Sequence, residues 1–188
     1  MLPLYVVNNH GQFNHLIRRM LRDLGIDAVL IENTVPVDEV AAGCRGLVLG
    51  GGPTITRAGN CAEYLKLGIP VLGICLGLHI IATMFGGKVT TGAAGGYGAI
   101  EVEIAVHDEI LEGYPEKIQV WASHADEVAV VPPGFQTLAH SRICGTEAIA
   151  APDHRIYGLQ WHPEVSHTID GRRVYENFNR ICLGEGSR

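Results

Sequence analysis

With 188 residues, 47% of them hydrophobic and 18% charged, the chain has the make-up of an ordinary globular protein with room for one sizeable core, so a single domain over 1–188 is expected. A net charge of −6 with scattered Lys and Arg leaves no basic footprint for a nucleic acid, and no apolar run approaches the ~18 residues that a membrane span needs. The five cysteines are odd in number, irregularly spaced and without a C-x-x-C pair, and the nine histidines form no H-x-x-x-H, so neither a disulfide framework nor a metal site is expected. The apolar start, Met1 to Val7, lacks a basic region and a cleavage site, and a cytoplasmic protein is expected.

In chain order, Leu4 to Asn8 reads as a buried strand, and Phe13, Leu16, Ile17, Met20, Leu21 and Leu24 recur at helical spacing until Gly25. Asp27 to Ile31 is a second strand, Val37 to Ala42 a short helix, and Gly46 to Leu49 a third strand ending in Gly50-Gly51-Gly52-Pro53-Thr54. Ala62 to Leu67 is a further helix, Pro70 to Ile74 a fourth strand, and Leu78 to Phe85 a packed helix. This alternation predicts an α/β fold, a mostly parallel, doubly wound (flavodoxin-like) sheet with helices on both faces and reactive groups beyond the carboxyl ends of its strands. From Gly87 the pattern changes to short alternating runs, Ile100 to Ile104, Ile118 to Trp121, Val128 to Val131 and Thr137 to His140, expected as added antiparallel strands. Ile156 to Trp161 is a last strand and Arg173 to Cys182 a closing helix.

Cys75 falls on the turn between the fourth strand and the next helix, in Gly73-Ile74-Cys75-Leu76-Gly77, the cysteine counterpart of the G-x-S-x-G nucleophile elbow. A helix start presents unpaired N–H groups and the positive end of the dipole, both of which favour a thiolate. The other reading of these residues is a buried structural cysteine. His162-Pro163-Glu164 follows the last strand and supplies a base with a group to orient it, because side chains two apart on an extended chain share a side. The bland alternative is a strand-end histidine packed beside Trp161 with a solvated Glu164. The Gly50 to Pro53 loop lacks the endings of a P-loop and of a dinucleotide fingerprint; the N–H of Gly52 with that of Leu76 suits an oxyanion hole, a plain tight turn being the alternative.

The ordered set of G-G-P, G-x-C-x-G and H-P-E resembles the triad-type (class I) glutamine amidotransferases over essentially the whole chain. Within them, Val120 to Val128, Leu138-Ala139-His140-Ser141 and His162 to Thr168 are similar to the separate glutaminase subunits of archaeal GMP synthases. The resemblance implies that Cys75 attacks the side-chain amide of L-glutamine, that His162 moves the proton to departing ammonia, and that Glu164 holds His162. It implies a partner, an ATP-pyrophosphatase (synthetase) subunit using ATP and Mg to aminate XMP, with no cofactor on this chain, and it reads His124 and Asp126 as coupling residues facing that partner. Two departures stand out. Leu78-His79 replaces the family's [HM]-Q, whose glutamine helps to hold substrate, so His79 is a candidate substrate contact, a packing residue or a rival base; Gly95-Gly96 stands where relatives carry charged side chains. Two other readings stay open, a stand-alone γ-glutamyl hydrolase or cysteine peptidase of the same fold, and a non-catalytic regulatory module.

Overall fold

The computed structural model describes residues 1–185, apart from the side chains of Ala93, Ala94 and Pro152, so the last three residues of the expected domain lie outside the described residues. Its strands are β1 (Leu4–Asn8), β2 (Ala28–Glu32), β3 (Gly46–Leu49), β4 (Val71–Ile74), β5 (Lys88–Ile104), β6 (Lys117–Val130), β7 (Gln136–Ser141), β8 (Ala148–Ala151) and β9 (Ile156–Leu159). Its α-helices are α1 (Asn14–Asp23), α2 (Val37–Gly43), α3 (Cys61–Tyr64), α4 (Leu76–Met84) and α5 (Arg172–Leu183). All nine strands form one sheet in the order β2-β1-β3-β4-β9-β8-β7-β5-β6. The first five in that order pair in parallel, and from β9 onward every pairing is antiparallel.

Because side chains alternate across a strand, the parallel strands, buried on both faces, divide their apolar runs between two cores. Val6, Val48, Leu72 and Ile74 face Ile17 and Leu21 of α1 and Tyr175, Phe178 and Ile181 of α5. Val7, Leu47, Leu49 and Val71 face Val40 of α2, Tyr64 of α3 and Leu78 and Ile81 of α4. The expected layering of helices on both faces is thus present. Strand order reverses at β1 and β3, which places the loops after these strands, residues 9–13 and 50–54, side by side at the switch point where such sheets bind ligands.

The second half departs from the expected short strands. Ile118 to Trp121 and Val128 to Val130 belong to one strand, β6, with Val131 just past its end, and Ile100 to Ile104 is only the end of β5, which pairs with β6 from Lys88 to Glu103. Register shifts between Thr91 and Gly96 absorb the glycines within this ribbon, so a stretch that reads as punctuation lies inside the ladder. The strand β8 has no counterpart in the expected elements; Ala148-Ile149-Ala150-Ala151 is short and small-sided, and only its burial between β7 and β9 makes it a strand.

Glycine at 77 is required by the contact between α4 and β3. A Cβ there would collide with the carbonyl oxygen of Leu49 and lie 3.0 Å from its Cβ. Gly77→Ala is expected to lower the free energy of unfolding by about 1–3 kcal/mol despite the better helix propensity of alanine. Gly145→Ala, at a position with nothing within 4 Å of the added methyl, should change it by less than about 0.5 kcal/mol, both variants being compared with the native protein by urea titration.

Candidate active site

The chain leaves β4 at Cys75 with φ 53° and ψ −104°, and α4 begins at the next residue. A non-glycine residue in this region is strained, and the surroundings hold it there. The Cys75 N–H donates to Leu159 O at 2.7 Å, extending the β4–β9 ladder by one rung. The flanking glycines fit tightly: a Cβ on Gly73 would lie 2.5 Å from the backbone of Gly77 and 2.6 Å from Ile81 Cδ1. Cys75 is only 8% exposed, yet its side chain lines two adjoining clefts.

Beyond β9 the chain runs straight into His162-Pro163-Glu164. Glu164 Oε1 lies 2.6 Å from His162 Nδ1, with both side chains buried, and Glu164 Oε2 accepts from the Tyr175 hydroxyl at 3.2 Å. The Nδ1 proton is thereby engaged, which leaves Nε2 for other work. Burial works against a charge on His162, but the Glu164 carboxylate and the hydrogen bond with Cys75 outweigh it and push the imidazole up to about 10. The His162 backbone is fixed by its N–H donating to Trp121 O (2.9 Å) and by the Thr168 hydroxyl, which donates to His162 O (2.7 Å) and accepts from Trp121 N (2.9 Å). Phe13 meets the imidazole edge-on, with ring centroids 5.0 Å apart.

The glycine loop after β3 closes over this pair. A Cβ on Gly51 would come within 3.4 Å of His162 Cε1 and 3.9 Å of Cys75 Cβ, and one on Gly52 would lie 2.6 Å from Leu76 Cδ2. Gly52 and Leu76 are therefore neighbours beside the sulfur, and Leu76, first residue of α4, has an N–H with no intrahelical partner. A cluster of asparagines holds the loop: Asn9 Nδ2 donates to Gly50 O (3.0 Å), Asn14 Nδ2 to Gly51 O (3.0 Å) and Asn8 Oδ1 (3.1 Å), and Asn33 Nδ2 to Asn9 Oδ1 (3.1 Å).

Two clefts meet at Cys75. One, of about 250 Å³, lies over His162 and is walled by His10 to Phe13 and Gly51 to Pro53. The other, of about 360 Å³, is walled by Gly52 to Ile55, Leu76, His79, Tyr97, Ser123, His124 and Asp126. His79 reaches this cleft but is 5% exposed, and its Nε2 lies 2.8 Å from Gln160 Oε1. Gln160 Nε2 in turn lies 3.9 Å from Cys75 Sγ. Burial holds both His79 and His124 below the usual histidine range, and both are neutral near pH 7. Gly96 has a steric reason here: a Cβ would lie 2.5 Å from His124 Nε2, so the bare backbone makes room for that ring. Gln160, Tyr175, Thr168 and the asparagines were not singled out from the sequence. Asn8-Asn9 at a strand end and Gln160 two residues before His162 were the available signals.

Two outcomes follow from these contacts. Asn14→Ala removes two donated hydrogen bonds at a buried position, and is expected to cost about 1–3 kcal/mol and to speed amide exchange at Gly51 and Gly52 by NMR. The stability that His162 contributes is complete below its ordinary value of 6.5 and is lost as pH rises through about 10, because its folded-state affinity for the proton is raised. Glu164→Gln removes that contribution, so in denaturation titrations the gap between the native protein and the variant should be widest near about pH 6 and narrow steadily above it.

The pattern of the glutamine amidotransferase class-I family matches residues 5–182. Over 182 residues the chain is 69% identical to a glutamine-hydrolyzing GMP synthase subunit of Methanoregula boonei, with 97% of this chain and 99% of that protein covered. It is 66% identical over 185 residues to the subunit of the same name from Methanospirillum hungatei, with 98% of each covered. The crystal structure of a GMP synthase subunit protein from Thermoplasma acidophilum superimposes with a TM-score of 0.93 at 36% identity, covering 98% of this chain and 95% of that one. A glutamine amidotransferase from Thermotoga maritima shares the fold, with a TM-score of 0.74 at 20% identity over 98% of this chain and 83% of that one. With its elbow, its histidine–carboxylate pair and its glycine loop gathered at one sheet edge, the chain belongs to the class-I glutamine amidotransferases.

Proposed function

We propose that this chain is the glutaminase subunit of a two-subunit GMP synthase, releasing ammonia from L-glutamine for a partner that aminates XMP. The observation that carries the chemistry is the convergence of Cys75, His162 and the Gly51–Gly52 backbone on one pair of clefts. The identity of 66–69% to proteins named as glutamine-hydrolyzing GMP synthase subunits supports the pathway.

In this reading an imidazolium at His162 stabilises thiolate at Cys75, and the sulfur attacks Cδ of the glutamine side chain to form a C–S bond. The carbonyl electrons move onto oxygen, which the N–H groups of Gly52 and Leu76 receive. His162 gives its proton to the departing nitrogen, the C–N bond breaks, and ammonia leaves a γ-glutamyl thioester. Neutral His162, held in its tautomer by Glu164, then takes a proton from water as the water attacks the thioester, and glutamate departs with the thiolate restored. The Glu164 contact keeps the imidazole in one orientation through both half-reactions, which is the work of a third member in such triads.

The chain carries no P-loop motif, so activation of XMP with ATP and Mg is assigned to an ATP-pyrophosphatase partner. His124 and Asp126 lie beside Cys75 in the cleft, on β6, and a partner docking over that ribbon would touch both the cleft rim and the nucleophile's surroundings. That is the basis for keeping them as coupling residues.

Ammonia release from glutamine, measured with and without an ATP-pyrophosphatase subunit of GMP synthase plus ATP, Mg and XMP, should rise on adding the partner. In Cys75→Ser it should fall at least about a thousandfold while the fold is retained. Undiminished release in that variant would overturn the mechanism. Rapid hydrolysis of γ-glutamyl peptides by the lone chain, indifferent to the partner, would mark a stand-alone hydrolase instead.

A further inference from the structure

The family glutamine one helical turn after the nucleophile is His79 here, and the structure gives that side chain a different neighbour from the one the family pattern implies. His79 Nε2 is 2.8 Å from Gln160 Oε1, and the other end of the same carboxamide, Nε2, is 3.9 Å from Cys75 Sγ. Gln160 is fully buried and stands between the two. A carboxamide has a donating end and an accepting end, and nothing in its shape decides which way it points. A thiolate accepts hydrogen bonds only, so a carboxamide serves it only with the NH₂ end toward sulfur. A neutral His79 carrying its proton on Nε2 donates to the oxygen end and selects that orientation; burial, which keeps His79 neutral, is consistent with this.

We propose that Gln160 donates a hydrogen bond to the Cys75 thiolate, and that His79 is a positioning residue which turns the Gln160 carboxamide so that its NH₂ end faces the sulfur. The proposal rests on Cys75 being the nucleophile and adds a second stabiliser of its charged form. Besides Cys75, six titratable side chains, His10, His162, His79, His124, Asp126 and Tyr97, line the clefts that meet there, so the readout must isolate the contribution of Gln160. The arrangement also removes His79 as a rival base, since Gln160 takes up its Nε2.

The test is the rate of iodoacetamide alkylation of Cys75 against pH, followed by mass spectrometry of the Cys75 peptide so that the other four cysteines do not contribute. Relative to the native protein, Gln160→Leu and His79→Phe should move the midpoint upward by about one pH unit and slow alkylation about tenfold at pH 7, the scale of one hydrogen bond to a charged group. His79→Gln, which keeps a donor at that position, should restore the native midpoint. Gln160→Glu, nearly the same shape but with a carboxylate in place of the NH₂, should shift the midpoint further than Gln160→Leu, because it loses the donor and sets a like charge beside the sulfur without changing the packing. In glutaminase assays with the partner, His79→Phe should lower kcat with KM little changed. Native midpoints in Gln160→Leu and Gln160→Glu would overturn the proposal while leaving Cys75 as nucleophile. So would a raised KM with an unshifted midpoint in His79→Phe, which would return His79 to holding substrate. Failure of the native Cys75 to react at any pH would overturn both this inference and the proposed function.

Discussion

The hydrogen bond from the Cys75 N–H to Leu159 O ties the end of β4 to the end of β9, and the arrangement of the site depends on it. These two strands are neighbours in space but are separated by most of the second half of the sequence. The bond fixes the amide of Cys75, one of four non-glycine residues with positive φ among the described residues, and it does so from the residue just before Gln160. The sulfur and the groups that face it are thus set by one rung of a ladder, and the side chains need only short, staggered reaches to meet. A strained backbone of this kind costs roughly 1–3 kcal/mol and persists only where its surroundings over-determine it. Here those surroundings are the ladder on one side and the interlocked Gly73 and Gly77 on the other.

The electrostatic plan of the site follows from what surrounds each group. His162 is buried, which by itself would strip its charge, but the Glu164 carboxylate at Nδ1 and the neighbouring Cys75 outweigh burial and hold its proton. Glu164 is itself held by Tyr175 from α5, so the closing helix, remote in sequence from the elbow, reaches the site through a single hydroxyl. His79 and His124 are buried without such a partner and stay neutral. Histidines of one composition thus divide into a charged one and two neutral ones around a single sulfur, and the division is made by packing.

Much of this was visible in the chain alone. The apolar runs of the first half, bounded by Gly and Pro, could be read as buried parallel strands because burial on both faces leaves no room for polar alternation, and the same logic put Cys75, the glycine loop and His162 at strand ends. The spacing in His162-Pro163-Glu164 was enough to pair base and carboxylate, because an extended chain places residues two apart on one side. The glycines at 73 and 77 announced a turn too tight for side chains. Family membership rested on these local motifs, each of which encodes its own geometry.

What needed the tertiary structure was everything that depends on long-range pairing. The β5–β6 ribbon runs through glycines that locally read as breaks, because cross-strand hydrogen bonds and a register shift override weak propensity. The strand β8 exists because it is enclosed. Asn14 and Asn33 were unremarkable polar residues in sequence, and with Asn9 became the hold on the glycine loop only when the first three strands were laid side by side. His79 could be placed on a helix face from its spacing, but a histidine's role is set by what its ring nitrogen meets, and Gln160 lies 81 residues further along the chain. Sequence by itself placed Cys75, the glycine loop and His162-Pro163-Glu164 at strand ends on one edge of the sheet, since such positions follow from local backbone preferences. Which of them touch, and which charges they keep, was decided by the packing of strands distant in sequence.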